Sequence, residues 1–154
     1  MNDKKSFDFN SFVSANAGRV VSGYDYLRAV YKTHGLAVDF IYYFAKLFWP
    51  DFKIKDGLIF VAELFDAGRY RDLLNEGRNS AETQFWMNLL EITGLFDELS
   101  TDEAMPIAEA LAASWNSKLN SEFGSVSVHA KAIRDDETGE VFVTIGSANQ
   151  IKKR

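Results

Sequence analysis

The chain has 154 residues, a net charge of −5 and an apolar fraction of 47% that includes thirteen Phe, six Tyr and three Trp. This is enough ring and aliphatic surface to build one buried core, and it excludes disorder of the whole chain. Cysteine is absent, which excludes a disulfide framework, thiol catalysis and cysteine-bound zinc or iron, and the expected setting is a reducing cytoplasm. The longest apolar stretch, residues 36–49, carries Asp39 and Lys46 and is too short and too charged for an ordinary membrane span.

Residues 1–12 read as a flexible lead with a short docking segment, because Phe7, Phe9 and Phe12 alternate with polar residues. The opening residues do not read as a signal peptide. A single globular domain is expected over residues 13–147, with a terminal tail over 148–154.

The first helix is expected at residues 24–33. Ser22 caps it with Asp25 three positions on, Leu27, Val30 and Tyr31 form its apolar face, and Gly35 supplies the exit. A second helix is expected at residues 36–48, stopped near Trp49 and Pro50. Phe40, Tyr43, Phe44, Leu47 and Phe48 crowd one side while Val38, Ile41 and Tyr42 add apolar groups elsewhere, so it reads as the core helix of the fold. Beyond Pro50 the period shortens. Phe52, Lys53, Ile54 and Lys55 alternate, Asp56-Gly57 is a two-residue turn, and residues 58–61 have strand propensity, which together predict a hairpin.

Asp66 caps a short helix reaching Asn75, with Tyr70, Leu73 and Leu74 on its apolar face. Asn79 caps the next, with Glu82 completing a capping box. Phe85, Trp86, Leu89, Leu90 and Thr93 carry the helical pattern on to an exit at Gly94. Ile107, Leu111, Trp115 and Leu119 then recur every four residues, and Pro106 predicts that regular helix starts close to Met105. Residues 125–133 and 141–145 alternate around the polar run 134–139, which predicts a second hairpin. The fold class is therefore α+β: a mainly helical domain with two antiparallel hairpins, whose four strands would form one antiparallel sheet if the hairpins associate.

Charge is distributed unevenly. Between Asn79 and Ser117 stand Glu82, Glu91, Asp97, Glu98, Asp102, Glu103 and Glu109, with no Lys or Arg. Such a stretch repels a nucleic-acid backbone and attracts a basic protein. The plainer reading is a solvated surface that keeps the chain soluble.

Familiar catalytic patterns are missing. There is no phosphate loop, dinucleotide fingerprint or serine elbow. The two histidines, His34 and His129, read as surface or structural residues that can also serve as acid-base groups. Glu63 and Asp66 are candidate catalytic carboxylates, although Asp66 is equally explained as a helix cap. The run Asp135, Asp136, Glu137, Thr138, Gly139, Glu140 offers oxygen ligands without calcium-loop spacing and reads as a solvated turn. No cofactor or metal is expected.

The favoured function is a protein-interaction or inhibitory module whose acidic surface recognises a basic partner. Two alternatives stand beside it. One is an enzyme acting on a small neutral or cationic substrate through a carboxylate/histidine site. The other is a regulatory domain that binds a peptide along a β edge.

Overall fold

A computed structural model describes residues 7–125 and 127–146. Val126 and the expected tail at 148–154 lie outside the described residues, as do the first six residues of the lead. The fold is α+β, with a two-stranded hairpin and a three-stranded antiparallel sheet among its helices. The chain divides into two compact units, residues 1–43 and 44–154, and the boundary falls inside one helix.

In the first unit, α1 (Phe9–Ala15) is capped by Asp8, whose side chain accepts a 2.7 Å bond from the Ser11 amide. Phe9 and Phe12 thus sit on a short helix and Phe7 just before it. Phe7, Phe9 and Phe12 gather around Tyr26, with ring centroids 5.7–5.8 Å from it. The Tyr26 hydroxyl donates to the Phe7 carbonyl at 2.5 Å. Tyr26 belongs to α2 (Gly23–His34), which starts on the Ser22/Asp25 capping box and stops at Gly35 with φ of 59°. That left-handed conformation is the one glycine adopts without a Cβ clash.

The ring-rich helix, α3 (Val38–Phe48), corrects one expectation. None of its residues is buried; Phe40, Tyr43 and Phe44 are 52%, 59% and 45% exposed. Its C-terminal end, Leu47 and Phe48, packs against the core of the second unit, and the Phe44 ring lies 6.5 Å from Phe96. A run of rings has the same periodicity whether or not anything covers it, so sequence pattern alone promoted α3 to the centre.

After Pro50 the second unit builds the expected hairpin, β1 (Phe52–Lys55) and β2 (Leu58–Val61), paired Lys55 to Leu58. The turn has φ of 50° at Asp56 and 77° at Gly57, the positive pair required by the tight turn that matches strand twist. A single 3-10 turn, Ala62–Leu64, leads to α4 (Ala67–Asn75), capped by Asp66. Tyr70 from α4 is buried against Phe60 and Phe65. Its hydroxyl donates to Asp56 at 2.6 Å, and that bond raises the phenol above its ordinary pKa.

The next helix is shorter than its pattern predicts. α5 (Ser80–Met87) begins on the Asn79/Glu82 capping box but ends at Asn88, and β3 (Leu90–Glu91) and α6 (Ile92–Leu95) follow. Asn88 is fully buried. Its side-chain oxygen accepts from the Val61 amide at 2.8 Å, and its nitrogen donates to the carbonyls of Ile59 at 3.0 Å and Gln84 at 2.9 Å. One amide thus satisfies both the end of α5 and the outer edge of β2, and the chain turns away.

Helix α7 (Thr101–Phe123) is continuous from the Ser100/Glu103 capping box, so the expected start near Met105 is four residues late. Pro106 is the sixth residue of α7 and costs only the amide bond to Asp102 in the second turn. Further along, α7 supplies the donors that the end of α3 lacks. Ser114 donates to the Phe48 carbonyl at 2.5 Å, Trp115 Nε1 to the Leu47 carbonyl at 2.8 Å, and Lys118 to the Pro50 carbonyl.

Strands β4 (Ala130–Arg134) and β5 (Val141–Ile145) form the second hairpin. The two hairpins do not join. β5 is instead the middle strand of the order β3-β5-β4, taking β3 as its second neighbour. All five residues of β5 are buried. On one face Val141, Val143 and Ile145 share a core with Ala108, Leu111, Trp115 and Leu119 of α7. On the other, the Thr144 hydroxyl donates to the Phe85 carbonyl of α5 at 2.7 Å. The sheet is therefore sandwiched between α7 and α5. Among the described residues no helix is long and apolar enough to cross a membrane.

Candidate functional site

The strongest concentration of one kind of chemistry lies where α7 begins. Three segments separated in sequence meet there. Thr101, the first residue of α7, donates its hydroxyl to the Gly139 carbonyl at 2.6 Å, which lays the β4–β5 turn against the helix start. Arg134, at the end of β4, approaches Asp102 at 3.4 Å and Asp136 at the same distance. Val141, just beyond the turn, donates its amide to Thr93 Oγ1 at 3.2 Å, which ties in α6.

The sequence dictates this corner locally. Ser100 begins α7 because its hydroxyl accepts from the Glu103 amide while the Glu103 carboxylate accepts from the Ser100 amide at 2.8 Å. The Ser100 amide, together with the Ser100 hydroxyl that donates to Glu103 Oε2 at 2.9 Å, holds the Glu103 carboxyl below its ordinary pKa. The turn is shaped the same way: Asp135 Oδ1 accepts from the amides of Glu137 at 2.9 Å and Thr138 at 3.3 Å. Gly139 completes it with φ of 76°, at a place where a Cβ would come 3.1 Å from Thr101 Oγ1.

The corner consequently gathers Asp97, Glu98, Asp102, Glu103, Asp135, Asp136, Glu137 and Glu140, with Arg134 paired into it. The side chains of Asp102 and Asp136 are 91% and 90% exposed despite their contact with Arg134. Asp97, Glu98 and Glu137 are exposed and form no ion pair among the described residues. Like charges this close repel one another, and an approaching cation relieves that repulsion.

Of the seven carboxylates singled out in sequence, Asp97, Glu98, Asp102 and Glu103 lie in this corner. Glu91 adjoins it: it pairs with Phe142 across the sheet, and its carboxylate accepts from Thr93 Oγ1 at 3.3 Å. Glu109 is seven residues beyond Asp102, about 10 Å further along the same strip of α7. Glu82 stands apart at the start of α5, folded back on the Asn79 amide. The acids of the β4–β5 turn were read in sequence as a separate solvated loop. What the sequence does not reveal is the pairing of Thr101 with Gly139, a contact across 38 residues.

The alternative candidates belong to different elements. His34 ends α2 in the first unit and His129 precedes β4 in the second. Asp66 is committed to capping α4, accepting from the Arg69 amide at 2.7 Å, and Glu63 is exposed on the 3-10 turn. Among the described residues no cluster of three His, Asp or Glu is arranged to hold a metal ion. The outer edge of β4 is occupied at one end: Asn116 of α7 accepts from the Ala130 amide at 2.7 Å and donates to the Ala130 carbonyl at 2.9 Å, as a neighbouring strand would.

The class defined by these features is an α+β domain with an acidic corner. No protein-family model, curated protein or solved structure matches the chain.

Proposed function

We propose that this chain is a protein-interaction module that recognises a basic partner through the acidic corner at the start of α7. The observation that carries this reading is the Thr101–Gly139 bond, which brings the β4–β5 turn onto the α7 start and turns two modest acidic runs into one field. Recognition of this kind acts through electrostatic steering and rim pairing, and it is weakened by salt. A partner whose own working surface is basic would be masked by the encounter, which is the sense in which the module is inhibitory. The encounter is assigned to the cytoplasm, where a chain without cysteine gives up no crosslink.

The test compares binding of an oligolysine peptide by the full chain and by two charge-neutralised variants. One carries D97N, E98Q, D136N and E137Q; the other carries D72N on α4 and E76Q at its C-cap. The first should lose roughly tenfold in affinity at low ionic strength, and the loss should shrink as salt rises. Equal weakening of both variants, or no weakening of the first, refutes the assignment.

A further inference from the structure

At the opposite end of the β4–β5 hairpin from its acidic turn lies a cavity of reversed polarity. Two bonds fix the hairpin geometry, from the Asp135 amide to the Glu140 carbonyl at 2.9 Å and from the Gly146 amide to the His129 carbonyl at 3.2 Å. With Lys131 opposite Thr144 and Ile133 opposite Phe142, strand alternation places His129 and Lys131 on the face that α5 covers. There the first turns of α5 and the segment leading into β4 leave a cavity of about 310 Å³, lined by Ala81, Gln84, Ser127, His129, Lys131 and Gly146. Val128 adds an aliphatic patch to the same wall.

Gly146 forms part of the lining. Its backbone passes so close to α5 that a Cβ would lie 3.3 Å from the Phe85 Cβ, and its φ of 143° disfavours any other residue. Gln84 fixes another wall: it is 5% exposed, and its amide nitrogen donates to the Ile59 carbonyl at 3.2 Å.

Among the described residues the lining contains an ammonium, an imidazole, a hydroxyl and an amide, but no carboxylate. On a chain of net charge −5 that is a local inversion. Lys46, Lys55 and Lys118 all stand within salt-bridge distance of a carboxylate, whereas Lys131 forms no ion pair among the described residues. The nearest carboxylate along α5, Glu82, is turned back onto the Asn79 amide. The start of α5 also presents the positive end of its dipole on this side.

We propose that this cavity binds a small organic oxyanion, with Lys131 as its counter-charge and His129 and Ser127 as hydrogen-bonding groups. A carboxylate and a phosphate monoester share that chemistry. The volume stands at the lower end of the range for small-molecule sites, which fits a short metabolite body lying on Ala81 and Val128 and leaves no room for a dinucleotide. The site is distinct from the acidic corner and stands whether or not that corner binds a protein.

The test is a titration of the full-length ¹⁵N-labelled chain with inorganic phosphate and, separately, with acetate, ionic strength being held constant with sodium chloride. Saturable amide shifts confined to Ala81, Ser127, His129, Lys131 and Gly146 are expected, with affinity at least about tenfold weaker in K131M and largely restored in K131R. The tighter of the two anions identifies the acid group of the ligand. K131M must keep the wild-type spectrum elsewhere, and S127A provides a second, milder lesion that should also weaken binding. Shifts that do not saturate, shifts scattered over the surface, or equal affinities in the wild type and K131M overturn the proposal.

Discussion

The hydroxyl of Thr101 and the carbonyl of Gly139 lie 2.6 Å apart although 38 residues separate them, and this contact sets the helix start and the hairpin turn side by side. Replacing Thr101 by Val keeps the shape and deletes the donor. The expected cost is about 1 kcal/mol in urea unfolding, with faster amide exchange across residues 135–140. T101S should retain most of the bond. G139A should be at least as damaging, because its Cβ meets Thr101 Oγ1 in a backbone conformation that disfavours side chains.

The buried amide of Asn88 makes a sharper prediction. N88A leaves the Val61 amide and the Ile59 and Gln84 carbonyls without this partner in a fully buried setting. The Ile59 carbonyl keeps its bond from Gln84 and the Gln84 carbonyl keeps the backbone amide of residue 88, so the cost falls mainly on the Val61 amide and unfolding should become easier by roughly 1 to 3 kcal/mol. A measured change below about 1 kcal/mol would mean that solvent reaches those groups and that Asn88 is not what ends α5.

Asn88 also shows where the sequence stops being legible. The caps at Ser22, Asp66 and Asn79 were readable, because a cap is a contact between residues three apart, whereas the Ser100 cap was masked by Pro106, which points to a later start. The Asp56-Gly57 hairpin was readable for the same reason of short range. The break after Met87 was not, since Asn88 terminates α5 by bonding to residues of β2 that lie 27 and 29 positions earlier. The exposure of α3 was hidden too: covered and uncovered rings share one periodicity. In the candidate site, individual carboxylates were legible as a run without positive charge, but their meeting with the β4–β5 turn depends on tertiary contacts.

Trp115 tests how α7 is anchored. It is 1% exposed, and its indole donates to the Leu47 carbonyl at 2.8 Å. W115A should destabilise the second unit by about 3 to 5 kcal/mol, combining lost burial with a cavity. W115F should cost less, retaining most of the packing while leaving the Leu47 carbonyl without its donor.

Acid should weaken the α7 start in a defined direction. The Glu103 carboxyl is held below its ordinary pKa by the Ser100 amide and hydroxyl. A carboxyl lowered by folding stabilises the native state above its unfolded value, and that contribution disappears as pH falls through the lowered native value. Stability should therefore decline from about pH 4.3 downward, and E103Q should be less sensitive over the same range. Asp25, lowered by its bonds to Ser22, and Asp51, lowered by Lys46 and Lys118, act in the same sense. Thermal unfolding at several pH values, wild type against E103Q, measures the difference. Identical acid sensitivity in the two proteins would remove Glu103 from the account.

The most direct measurement is an amide-resolved NMR titration of the full chain with an oligolysine peptide at low salt, followed by addition of sodium chloride. Perturbations should concentrate at residues 97–103 and 135–140, be reversed by salt, and be lost from both segments together in T101V if the corner acts as one surface. Perturbations centred elsewhere, or a response in one segment that is indifferent to the other, would contradict it.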